Sequence, residues 1–184
     1  MIDESVFSEQ MQDQSRPIGY PLAVPAYAAL EVFTLGIYTL YWSFQHFSRA
    51  FHGTKAKVPR ALICCFFLPL SLHSLMKYYD RCARSAGDRF RLPILPTALL
   101  FFFNHLVSTF GSKYLPDYAP LINLVVAVTI LGFIQNEVNR INRKMRPDLL
   151  SSQVMTGRLW IGLAVGFVVF FIIVGLFFLL TLLR

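Results

Sequence analysis

Glu31 is the residue of this chain with the most to do chemically. It is the one carboxylate in a stretch, residues 17–47, that is otherwise free of Asp, Glu, Lys and Arg. An ionisable group inside an apolar segment can relay a proton or bind a cation. Its plainer role is an interfacial carboxylate near a helix start, where the helix dipole favours negative charge. Asn104 and His105 make a second polar pair, in the middle of the uncharged run 92–112. Together with Glu31 they would line a polar path. Taken alone, they would hydrogen-bond between helices, a contact worth about 1 kcal/mol.

Other chemistries lack their residues. The three cysteines, Cys64, Cys65 and Cys82, include an adjacent pair and no C-x-x-C spacing, so all three read as free thiols. His46, His52, His73 and His105 have no regular spacing that would bind a metal. Ser71-Leu72-His73-Ser74 has neither a nucleophile elbow nor an acid partner. The expectation is a protein that is not an enzyme, with no cofactor and no metal.

The elements that must position these groups are membrane segments. Residues 159–183 carry no charge, and about 20 apolar residues suffice to cross the hydrocarbon core. The chain as a whole is 55% hydrophobic with 18 Phe among 184 residues, above the usual apolar share of about 45–50%. Further apolar segments are expected at 25–47, 61–76, 92–112 and 118–136, the last running on as an amphipathic helix to 145. The predicted fold is all-α: a polytopic helical membrane protein of four or five hydrophobic segments, one of them open to a re-entrant reading. Residues 1–16 are acidic and polar and read as a mobile tail ahead of a single membrane domain, 17–184.

Charge distribution bears on topology. The net charge is +7, and 14 of the 17 Lys and Arg residues fall in the stretches 49–60, 77–91 and 140–158. Short loops rich in Lys and Arg stay on the cytoplasmic side. If 61–76 spans, the first two stretches lie on opposite sides. If it is a hairpin bent at Pro69, all three lie on one face, and this arrangement is preferred. Basic loops beside apolar segments point to anionic head groups rather than nucleic acid. Arg140, Arg143 and Lys144 would form such a basic surface, with Gln135, Asn139 and Asn142 as the polar edge of the same helix. Gly162 and Gly166 form a GxxxG pattern suited to close helix packing within the chain or in a homo-oligomer.

The run Phe33-Thr34-Leu35-Gly36-Ile37-Tyr38-Thr39-Leu40-Tyr41-Trp42 resembles the T-[LF]-G-[IL]-Y-x-[IL]-Y-W signature of a family of small bacterial inner-membrane proteins of unknown function. Gln135 with Val138-Asn139-Arg140-Ile141-Asn142 is similar to the Q-x-x-[IV]-N-x-I-N run those proteins carry after a later span. The resemblance implies a bacterial inner membrane and brings no activity, cofactor or catalytic residue. Physically, Thr34 can bond back to its own helix, Gly36 allows close helix approach, and Tyr38, Tyr41 and Trp42 would fix depth at the head-group level. The expected function is contact with lipid or a membrane-protein partner, as a scaffold, accessory or immunity-type factor. The alternative is a small transporter or channel built around Glu31.

Overall fold

The computed structural model describes residues 17–52, 56–111, 115–116 and 118–145. The acidic stretch 1–16 and the apolar run 159–183, with Gly162 and Gly166, lie outside the described residues. Among the described residues the fold is all-helical, with six helices and no strand. They are α1 (Val24–Phe33), α2 (Tyr38–Ala50), α3 (Lys57–Phe66), α4 (Leu68–Ser85), α5 (Ile94–Phe110) and α6 (Ala119–Met145).

The segment expected as one helix over 25–47 is two helices. α1 begins with Pro25 in its first turn, where the missing N–H costs nothing. It stops at Thr34 because Leu35 (φ 52°) and Gly36 (φ 89°) are left-handed. The Leu35 N–H bonds the Val32 carbonyl and the Gly36 N–H bonds the Glu31 carbonyl, the paired bonds of a Schellman cap. Thr34 Oγ1 donates to the Leu30 carbonyl at 2.8 Å and accepts from the Tyr38 N–H at 2.9 Å. It therefore closes one helix and starts the next. Gly36 serves this turn rather than a close helix approach: a Cβ there would meet Leu124 at an ordinary 3.5 Å.

The break folds the chain back on itself. In a straight helix Tyr27 and Trp42 would lie about 22 Å apart along the axis. Their ring centroids are 5.9 Å apart. At the open end of this hairpin the Arg49 guanidinium stacks 4.9 Å over the Tyr20 ring. Its tip reaches Leu124 of α6, while Leu22 lies at Asn139 of the same helix. Those positions on α6 are about 22 Å apart. α1 and α2, with 10 and 13 residues, are about 15 and 20 Å long, each short of the roughly 30 Å of a hydrocarbon core.

A second break falls at Phe67, between α3 and α4, with Pro69 in the first turn of α4. Pro69 has no N–H to offer the preceding turn. Ser71 Oγ donates across the break to the Cys64 carbonyl at 2.7 Å. α4 then continues through Ser85, so much of the basic stretch 77–91 is helix rather than loop. α5 packs on α4 and α6, and α1 on α6. α6 is one unbroken helix of 27 residues, the helix among the described residues that is long and apolar enough to cross a membrane. α1 and α5 are shorter apolar helices.

The core runs down the α1, α2, α4 and α6 contact, with Tyr27, Trp42, Leu72, Tyr79, Ile134 and Ile141 fully buried. Outside it, α5 leaves a stripe of Leu95, Leu99, Phe103, Leu106 and Phe110 exposed and buries only Ala98 and Phe101.

Candidate functional site

Two buried polar clusters lie on the α1–α2 hairpin, and each leaves a buried polar atom without a hydrogen-bond partner, Asn142 Nδ2 in the first and the Tyr38 hydroxyl in the second. The first centres on Gln135 of α6. Its Oε1 accepts from Trp42 Nε1 at 2.7 Å and from His46 Nε2 at 3.2 Å. Its Nε2 donates to the Tyr20 carbonyl and to Asn139 Oδ1, both at 3.0 Å. A carboxamide has two acceptor sites and two donors, and all four are used. His46 donates from Nε2, so Nδ1 is left to accept from the Tyr79 hydroxyl. Asn139 Nδ2 bonds the Leu22 carbonyl at 2.7 Å, and Asn142 Oδ1 accepts from the Ile18 N–H at 2.9 Å.

The purpose of these amides follows from Pro17, Pro21 and Pro25. The prolines keep the chain ahead of α1 out of a helix, so its backbone groups have no intrahelical partners. Three side chains of α6, spaced to share one helical face, supply partners instead. Gln135, Asn139 and Asn142 are therefore not a solvated edge: they are 0%, 6% and 3% exposed. Trp42 is fully buried among them and Tyr38 is nearly so, whereas Tyr41, at 46% exposed, keeps a surface position. Gly19 completes the seam, because a Cβ there would lie 2.7 Å from Val138 Cγ1 and 2.9 Å from His46 Nδ1.

The second cluster centres on Glu31. Glu31 is 1% exposed, in the last turn of α1. Its Oε1 accepts from Thr39 Oγ1 at 2.5 Å, a bond made possible by the fold-back after Gly36. Its Oε2 and the buried Tyr27 hydroxyl, four residues away on α1, lie close enough to interact with each other, and the buried Tyr38 hydroxyl has no hydrogen-bond partner. Both tyrosines interact electrostatically with the Glu31 carboxylate. Asn104 and His105 do not join this group. Asn104 Nδ2 bonds the Asn123 carbonyl at 3.1 Å between α5 and α6, and His105 faces outward. No group of three His, Cys, Asp or Glu among the described residues could hold a metal ion. The three cysteines are free, with Cys65 and Cys82 buried.

No family model, curated protein or solved structure matches this chain.

A third cluster ties the α4–α5 connection to α6. Arg140 donates to Asp88 at 2.5 Å, to Glu137 and to the Arg89 carbonyl, and Lys144 Nζ lies 3.5 Å from Asp88. The Arg89 N–H and Arg140 hold the Asp88 carboxyl below the usual range, at about 2. Of the three residues expected as a basic surface, Arg140 and Lys144 thus clamp the connection at 87–89, and Arg143 is exposed. Glu137, Asp88, Gly19 and His46 escaped the sequence reading as site residues. Only Glu137 and Arg140, three apart on a helix, left a local signal.

Proposed function

We propose that the protein is a polytopic inner-membrane protein of bacteria that works by contact rather than catalysis, as a scaffold, accessory or immunity-type factor. The observation that carries this reading is a set of polar side chains inside the apolar core beneath large apolar side chains left exposed. Glu31, His46, Gln135, Asn139 and Asn142 are inside, while large apolar side chains such as Leu99, Phe103, Phe110, Leu121 and Phe133 are outside. Water does not reward that arrangement, whereas a hydrocarbon solvent does. In this reading α5 and α6 cross the bilayer and the α1–α2 and α3–α4 pairs enter it as hairpins. The amide seam answers the rule that irregular backbone at membrane depth must be covered by protein.

The basic residues support a cytoplasmic assignment for one end. The open end of the first hairpin, the 86–93 connection and the C-terminal end of α6 are linked by Ile18–Asn142, His46–Tyr79, Tyr79–Phe90 and Arg140–Asp88 contacts. Arg81, Arg84, Arg89 and Arg143 are exposed near them and suit anionic head groups. The Trp42–Gln135 bond joins the two stretches that resemble the small inner-membrane family, which supports reading them as one signature.

The test is gentle extraction from native membranes with mass spectrometry of proteins and lipids. A stoichiometric membrane-protein partner or enriched anionic lipid is expected. Recovery in the soluble fraction would overturn the proposal. The second reading, a small transporter or channel, keeps Glu31 but loses its polar path, since Asn104 and His105 lie elsewhere. It predicts ion or solute flux in proteoliposomes that Glu31→Gln abolishes.

A further inference from the structure

We propose that the groove between α5 and α6 is the docking site of this chain's own apolar segment, residues 159–183, lying antiparallel to α6. The inference rests on the reading above that α5 and α6 cross the bilayer.

Three observations lead to it. First, the α5–α6 pair leaves a hollow on its outer side. A groove of about 280 Å³ runs between Leu92, Thr97 and Leu100 on one wall and Val125, Thr129 and Phe133 on the other. Val125 and Phe133 are more than half exposed. The Thr129 hydroxyl already donates to the Val125 carbonyl at 2.7 Å, so it asks no hydrogen bond of an occupant. An apolar segment suits such a groove.

Second, the chain leaves α6 within reach of it. α6 overruns Glu137, its first charged residue, by eight positions to Met145, about 12 Å. The 13 residues 146–158 then lead to Leu159, and extended they reach about 43 Å. That connection suffices to bring the chain back to the level of Glu137 and send it along α6 in the opposite direction.

Third, the two rows match in register. Phe133, Thr129 and Val125 stand 4, 8 and 12 positions before Glu137. Gly162, Gly166 and Phe170 stand 4, 8 and 12 positions after Arg158, the last charged residue before the uncharged run. With both charges at the membrane surface, each pair shares a depth, about 6, 12 and 18 Å. Phe133 then meets Gly162, and Thr129 meets Gly166. Both rows follow an i, i+4, i+8 ridge, the kind that packs into the groove of a facing helix. Lipid is as apolar as either helix, so close fit at small residues drives the association.

The experiment is disulfide trapping of the full chain in isolated membranes, with Cys64, Cys65 and Cys82 replaced by Ala. The matched pairs are Thr129→Cys with Gly166→Cys and Val125→Cys with Phe170→Cys. The second keeps both glycines and decides alone if the Gly166 variant does not fold. Phe133→Cys with Phe170→Cys is the control, in the same groove but about 12 Å apart in depth. Oxidation is expected to shift the mobility of the monomer in the matched pairs, reversibly by reductant, and not in the control. A disulfide-linked dimer from the matched pairs puts a second copy in the groove and overturns the proposal. A membrane-embedded chain with no bond in either matched pair overturns it, leaving lipid in the groove. Equal bonding in the control overturns it by removing the register. These failures leave the membrane reading standing, whereas recovery of the chain in the soluble fraction overturns that reading and this inference with it.

Discussion

The indole Nε1 of Trp42 donates across 2.7 Å to Oε1 of Gln135, 93 positions away in the chain. This bond joins the end of the aromatic run to the amide face of α6, and the extended stretch 17–23 is held by that same face. Gln135→Leu should therefore be costly. It strands the Trp42 N–H, the His46 ring N–H and the Tyr20 carbonyl, and each buried orphan costs about 1–3 kcal/mol. The predicted loss is roughly 3 kcal/mol or more, read by chemical unfolding in detergent. Trp42→Phe, which removes a donor while leaving Gln135 its bond to His46, should cost less.

Gly19 gives a sharper steric test. Because a Cβ would press on Val138 and His46, Gly19→Ala should destabilise by about 1–3 kcal/mol and loosen the chain ahead of α1. Limited proteolysis near residues 17–23 should be faster in this variant. Gly87→Ala is the comparison: nothing lies within 4 Å of its Cβ position, so only its φ of +67° resists, at a cost nearer 1 kcal/mol.

The turn at Leu35–Gly36 predicts opposite signs for two neighbouring substitutions. Gly36→Ala forces a side chain into φ 89° and should destabilise by about 1 kcal/mol. Leu35→Gly removes a side chain from φ 52° and relieves backbone strain of about 1–2 kcal/mol. Its greater unfolded-state entropy offsets part of that gain. Unfolding midpoints of the two variants should therefore fall on either side of the wild type.

Asp88 sets an acid dependence. Its carboxyl titrates at about 2 in the folded protein, below the ordinary value near 4. A depressed carboxyl stabilises the fold above its unfolded value, and the contribution disappears as pH falls through the folded one. The Asp88→Asn variant should be less stable than wild type at neutral pH. The gap should close between about pH 4 and pH 2, measured as the difference between the two unfolding curves.

The sequence made the helical character legible because its signals are local. The uncharged runs, Pro25 at a helix start and the i, i+4, i+7 spacing of Ile134, Val138 and Ile141 are each contained within one element. The break at Thr34–Ile37 was hidden because the left-handed residues are a leucine and one glycine inside an apolar run, where depth and close packing are the simpler readings. The burial of Trp42, Asn139 and Asn142 was hidden for a different reason. Amides and indoles read as an edge or an interface unless a partner is known, and here the partner is backbone opened by prolines about 115 residues earlier. Glu31 could be singled out as an acid within an apolar segment, and Tyr27 is its i−4 neighbour on α1, but Thr39 comes beside it only after the chain has doubled back.

The most direct test of the account is side-specific labelling with an impermeant maleimide. Cys65 and Cys82 are buried and serve poorly as reporters. Single cysteines at Arg60, Ser85 and Leu115, exposed positions, placed in a background where Cys64, Cys65 and Cys82 are Ala, report on the start of α3, the end of α4 and the α5–α6 connection. The account predicts that in intact cells Leu115→Cys reacts from outside, and that Arg60→Cys and Ser85→Cys react only after the membrane is opened. Labelling of Arg60→Cys and Ser85→Cys from opposite sides would contradict it, because α3 and α4 would then cross rather than enter as a hairpin.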